Sequence, residues 1–420
     1  AMGYNTLAGN TTANNNTAIG HNAMASNTTG EDNVAVGRIA LDHNTTGSKN
    51  VAIGESSLTS NTTGDRNIAI GQNSMAVNTT GSQNVAIGRN ALDANTTADD
   101  NVAIGDSAAT SNTTGTNNTA VGSLALQNNQ TGLANTAIGH SALESNTATA
   151  NTVVGADAAK NTTSGSLNTV VGKDAFFTNT TGSQDVAIGF AALEANTTGS
   201  QQVAVGAYAM NSNNTGYNNT AVGWESMKAN TTGYLNVAVG QQAMLANTTG
   251  YSNVAVGHNA YASATTANHN TCIGDNAGAS IDVGQGNTLI GADAGDAINA
   301  SNGKWNTAVG WGALGSNTSF FQNTAVGQGC LASNTAHANT GIGSRCLTDN
   351  THGSGNNGHG YFCMDEVTTG DDNCAFGTSA GRYITTGDNN ICIGNSAGAD
   401  ALGTITTTSN YIMLGNNSIT

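Results

Sequence analysis

The stretch NVAVGRIALDHNTTGSK, running from Asn33 to Lys49, is followed at once by NVAIGESSLTSNTTGDR, from Asn50 to Arg66. Gly20, Gly37, Gly54, Gly71, Gly88 and Gly105 fall at intervals of 17 residues, and the shared unit reads N-[VT]-A-[IV]-G-x-x-A-[LM]-x-x-N-T-T-G-x-x. Repeats decide a fold before any residue-level reading does, because each unit must bury its apolar positions against its neighbours. Starting each unit at its first Asn, 24 can be followed from Asn16 to Asn410, with small slips in length near Asn151, Asn306, Asn339 and Asn410. No stretch remains for a separate domain, so residues 1–420 read as one continuous array.

Within the unit, Val34-Ala35-Val36 and its equivalents are short, β-branched and bounded by Gly, which predicts a strand. A second short strand is expected over the x-A-L-x segment, for example Ile39 to Asp42. Between them lie two corners, one at the Gly of A-I-G and one at N-T-T-G, where Gly and Asn tolerate positive φ and Asn or Thr can bond nearby backbone. Two strands and two corners in 17 residues describe one flattened turn of a parallel β-solenoid, an all-β class. Coils stacked at about 4.8 Å would extend 24 units over roughly 115 Å.

Some positions are stricter than others. The corner Gly recurs in every unit from Gly20 to Gly415, as expected of a backbone geometry that a Cβ would obstruct. Three residues later the side chain is always small, from Ala23, Ala40 and Ser57 to Cys330, Cys346, Cys363 and Ser418. Ile or Val precedes the Gly almost throughout and is taken as the inside of the coil, so Ile53 is expected to point in and Ala52 out. The outward position is then also apolar, which predicts that another chain covers it. A homo-oligomer follows, and a parallel bundle about a common axis would keep equivalent coils level.

Composition narrows the function classes. Pro is absent, Gly is 55 of 420 residues and charged residues are 9%, while 37% are hydrophobic. Ten Lys and Arg against 26 Asp and Glu give a net charge of −16. No basic patch exists to neutralise phosphates, so nucleic acid is not an expected partner. No apolar run approaches the ~20 residues of a membrane span. The acids Glu31, Asp32, Asp65, Asp99, Asp100, Asp371 and Asp372 sit at loop positions and read as solubilising charge. The histidines are scattered and lack the nucleophile or carboxylate constellations of acid–base chemistry, so no catalysis and no cofactor are expected.

Three groups of residues remain as candidate sites. Cys330, Cys346 and Cys363 occupy the small position in three successive coils, at a spacing a disulfide could accept, but they also suit the role of small buried thiols. His359 stands where other units place an apolar residue, between Cys346 and Cys363 and near His352. It is a weak metal candidate with those cysteines, at a spacing that matches no zinc motif. The corner asparagines Asn27, Asn44, Asn61, Asn78, Asn95 and Asn112 read first as turn chemistry with Asn and Thr ladders bonded from coil to coil; they also satisfy N-x-[ST] and would be glycan acceptors in a eukaryotic secretory pathway. A Thr array for ordering ice is disfavoured, because adjacent threonines point to opposite sides.

The N-V-A-I-G-x-x-A core resembles the head repeats of trimeric autotransporter adhesins of the YadA type, and the N-T-A-[IV]-G-x-x-A-L-x-x-N-T-T-G array resembles tail-fibre-like proteins of phages and bacteria. The resemblance covers essentially the whole chain, with a longer unit than adhesin heads use. It implies a left-handed β-roll, a homotrimer and an attachment fibre outside the cell, on a cell surface or a virion, that meets a host-surface glycan or protein. Because Ala1-Met2-Gly3 already matches part of the unit and Ser418-Ile419-Thr420 stops inside one, a segment of a longer protein is expected. The alternative is a self-assembling extracellular filament.

Overall fold

The structure is a computed structural model and describes residues 1–299, 303–399 and 405–416; Ser418, placed above at the small position, lies outside them. The described residues form 24 parallel three-residue strands, β1 (Thr17–Ile19) to β24 (Ile412–Leu414), with no helix, in a β-solenoid of about 23 turns. Two compact units divide the chain, Ala1–Tyr208 with β1–β12 and Ala209–Thr420 with β13–β24. Inside each unit consecutive strands pair in parallel, one repeat apart. Thr17, Ala18 and Ile19 of β1 stand against Val34, Ala35 and Val36 of β2, and Val237, Ala238 and Val239 of β14 against Val254, Ala255 and Val256 of β15.

The corner glycine behaves as its strictness predicts. Gly37 has φ +143, and a Cβ there would lie 2.6 Å from the carbonyl carbon of Gly54 in the next coil. Both the backbone conformation and the stacking distance therefore require glycine.

The second predicted strand is absent from the described coils. The segment from Ile39 to Asp42 is a run of turns, in which Ile39 has φ +52 and Leu41 φ +51. Left-handed conformations at alternate residues break the extended geometry, and they bring two neighbours, Ala40 and Leu41, inward together, which a strand cannot do. Inter-coil hydrogen bonding continues through the turns nonetheless. Ile39 N–H donates to His21 C=O at 2.9 Å, and Leu41 N–H to Ser57 C=O at 3.0 Å.

The inside and outside of the strand are also reversed from expectation. The middle residue points in: Ala35, Ala52 and Ala69 are fully buried, whereas Ile53 is 38% exposed. The interior of a 17-residue coil is narrow and is filled from the far side by Leu41 or its equivalent, leaving space for a methyl group but not for Ile. In some coils a larger strand residue is matched by a smaller one opposite, as in Val153 with Ala159 and Leu289 with Gly295, and a Cβ on Gly295 would lie 2.8 Å from Leu289 Cδ2, whereas Val170 faces the buried Phe176. Volume is thus traded between the two sides of the interior, within a coil at Val153 and Leu289 but not in the coil of Val170.

Candidate interaction surface

Two rows of asparagine complete the interior. Asn44 donates through Nδ2 to Asn27 Oδ1 (2.7 Å) and to Gly47 C=O in its own coil (2.9 Å), and Asn61 repeats the pattern with Asn44 and Gly64 (2.8 and 3.0 Å). In the second row Asn33 Oδ1 accepts the backbone N–H of Asn50 (2.9 Å), while Asn33 Nδ2 donates to Gly47 C=O (2.9 Å). Thr45 extends the ladder at the edge, its hydroxyl donating to Thr62 C=O at 2.9 Å. A buried carboxamide is costly unless both its ends are satisfied, and the repeat supplies partners where the ladder is continuous; Asn247 Oδ1 and Asn350 Oδ1 lack one where the next coil carries Ala264 and Val367 in place of Asn.

These ladders answer the glycan expectation. Asn27, Asn44, Asn61, Asn78, Asn95 and Asn112 are all fully buried, and each donates from the same Nδ2 that a glycan would occupy. A sugar chain on that atom is incompatible with this packing, so the corner asparagines are structural. That they face inward was not legible from the N-x-[ST] pattern, which marks exposed acceptors and ladder residues alike.

Cys330, Cys346 and Cys363 are free, buried thiols inside the coil. Hydrogen bonding with the thiols of Cys330 and Cys363, together with burial, pushes the Cys346 thiol far up. The extra sulfur is accommodated by a loss elsewhere: Gly341 and Gly358 replace the inward strand Ala, and a Cβ on Gly358 would lie 2.7 Å from Cys346 Sγ. His359 lies on the opposite side of the strand, half-buried on the outer face, so the structure does not bring it together with Cys346 and Cys363. Among the described residues of the single chain no three His, Cys, Asp or Glu are grouped to hold a metal ion.

One buried ionisable group escaped the sequence reading. Asp185 occupies the place of Asn168 in the second Asn row, fully buried. Its Oδ1 accepts Gln202 N–H at 2.8 Å, and its Oδ2 has no partner. Burial pushes the carboxyl up to about 8, with the bond from Gln202 opposing. In the preceding coil Asn168 donates to Gly182 C=O at 3.0 Å, and a protonated Asp185 can make the equivalent donation to Gly199 C=O, which an ionised one cannot.

The outer face of the strands is the most distinctive surface. The residues on either side of the buried Ala form two ranks, such as Val51 and Ile53, Val102 and Ile104, or Val186 and Ile188, each partly exposed. Twelve strands at about 4.8 Å carry these ranks over nearly 60 Å in each unit. The rank of Ile53 is Val, Ile or Leu in every strand except β21 (Asn357–His359) and β22 (Cys374–Phe376). No charged Asp, Glu, Lys or Arg interrupts either rank.

Just beyond the corner Gly the repeat turns variable and polar. Arg38 pairs with Glu55 and Arg89 with Asp106 (2.8 Å) across consecutive coils, on exposed side chains whose pairing adds little stability. On the edge preceding the strand Tyr217, Tyr234 and Tyr251 stack with centroids 5.0 and 4.9 Å apart. The chain thus offers one uncharged face, with Val, Ile or Leu along one rank and Val, Ile or Thr along the other in every strand but β21 and β22, flanked by rows whose side chains differ from coil to coil. Comparison with known proteins does not name this arrangement: no protein-family model matches the chain, and no curated protein matches it.

Proposed function

We propose that this chain is a structural and adhesive fibre segment that associates with copies of itself through the Val/Ile face and presents its variable rows for attachment, outside the cell on a cell surface or a virion. The observation that supports it is the pair of uncharged, β-branched ranks on the outside of the sheet. An isolated soluble solenoid should place polar residues in both ranks, whereas the rank of Ile53 is aliphatic in every strand but β21 and β22, the pattern of a sheet covered on both faces. A second copy is the natural cover, since a regular array complements itself in register and keeps equivalent coils level. Three copies about an axis is the arrangement implied by the resemblance to adhesin heads and tail fibres. The variable rows would then face outward, toward a host-surface glycan or protein. The role is one of shape and contact rather than catalysis, and it calls for no cofactor.

Light scattering on the full chain tests the reading. A discrete oligomer, reduced to monomer by Ile53→Asp with Ile104→Asp and Ile273→Asp, is the expected result. A chain that remains monomeric at micromolar concentration overturns it, and an open-ended polymer would favour a filament instead.

A further inference from the structure

The two outer ranks depart from their pattern in one place. The rank of Val51 is Thr, Val or Ile in every strand except β21 and β22, where it is Asn357 and Cys374, and the other rank carries His359 and Phe376 in the same two strands. All four departures therefore share one face and two adjacent coils, with Asn357 registered on Cys374 and His359 on Phe376.

The imidazole is held from two sides. Its Nε2 bonds to Asn357 Oδ1 at 2.8 Å, and its ring stacks on Phe376 with centroids 4.4 Å apart and planes 13° from parallel. A carboxamide oxygen can only accept, so Nε2 carries the proton and Nδ1 carries the lone pair. A neighbour that fixes the tautomer and orientation of a ring through one nitrogen, leaving the other free to donate, is the usual support of a metal-ligating histidine.

We propose that β21 forms a divalent transition-metal site between copies of this chain, with Nδ1 of His359 from each copy as ligand and Asn357 as the orienting residue. The inference rests on the self-association proposed above, because one chain supplies one imidazole and in-register copies bring His359 level with His359. Imidazole nitrogen suits zinc, nickel, cobalt or iron(II), and three such donors leave room for water or a further ligand. The Cys374 thiol is registered with Asn357 rather than His359 and is left out of the ligand set.

The test uses the full chain stripped of metal and then dialysed against zinc and, separately, cobalt, with metal content and mass measured on the same sample. One ion per oligomer is expected, with the visible absorption of cobalt in a low-coordinate nitrogen site. His359→Val installs the residue its rank carries elsewhere, so the oligomer should persist while the stoichiometric ion is lost. Asn357→Thr should keep the oligomer and weaken metal binding roughly 10- to 100-fold. An intact oligomer that takes up no ion, or one whose ion survives His359→Val, overturns the metal site and leaves self-association standing. A chain that stays monomeric overturns both.

Discussion

Asn61 Nδ2 lies 2.8 Å from Asn44 Oδ1 and 3.0 Å from Gly64 C=O, so one carboxamide ties its own coil closed and links it to the coil before. Asn78 in turn donates to Asn61 Oδ1 at 3.0 Å. Asn61→Ala removes one donor and one acceptor from a dry interior and strands groups on both neighbours. A loss of about 2–4 kcal/mol is expected in chemical denaturation. A change below 0.5 kcal/mol would show that the ladder is incidental to stability.

The chain contains its own compensation for losing that asparagine. Ile281 and Ile298 take the ladder place in coils where Gly278 and Gly295 replace the inward Leu, and Tyr261 is matched by Ala264, its hydroxyl accepting from Asn270 Nδ2 at 2.5 Å. Leu58→Gly combined with Asn61→Ile should therefore cost less than the sum of the two single changes, by roughly 1–3 kcal/mol. Simple additivity in a double-mutant cycle would contradict volume exchange between the two positions.

Asp185 predicts a pH dependence of unit stability. Its carboxyl is raised in the folded chain to about 8 from an ordinary 3.8, so folding favours the protonated form. Its contribution is fully present below about pH 4, is lost as the pH rises toward 8 at about 1.4 kcal/mol per unit, and levels off above that. Asp185→Asn restores the repeat residue and should leave stability unchanged near pH 4 while raising it by several kcal/mol at pH 8. Parallel pH–stability curves for the two proteins would refute a protonated Asp185.

Ile39 holds φ +52, a conformation that a β-branched residue adopts at a cost, whereas Asn22, Asn73 and Asn90 occupy the equivalent position in other coils. Ile39→Asn should stabilise the chain by about 1 kcal/mol, read as a shift of the denaturation midpoint at constant slope. Destabilisation would mean that packing by the half-buried Ile outweighs its backbone strain.

Thiol labelling should follow burial. Cys374 alone of the six cysteines is partly exposed, and burial pushes the thiol of the buried Cys392 up to about 11. In the dissociated chain a thiol reagent should reach Cys374 first and the remaining five only on unfolding, whereas association through the strand face should protect Cys374 as well. Rapid modification of Cys346 in the folded chain would contradict its interior position.

The sequence by itself determined the solenoid. A period of 17, a glycine that no other residue replaces and a short apolar strand beside it leave one architecture, because only stacked coils let every unit bury the same positions. It also determined the small site of Ala40 and the recurrence of Asn and Thr at the corners, where a ladder is one of two readings. Tertiary structure alone decided which side of the strand is inside. Alternation shows that Ala52 and Ile53 face opposite ways but not which faces in, and the answer depends on how much of the coil Leu58 fills from across the interior. It also decided that Ile39 to Asp42 turns rather than extends, because the Asn, Asp or Gly that favours a left-handed conformation stands at the position of Ile39 in only some coils, and stacking imposes it on the rest. The same interior claimed Asn44 and turned His359 outward, which moved the candidate site from the thiols inside the coil to the face that another copy would cover.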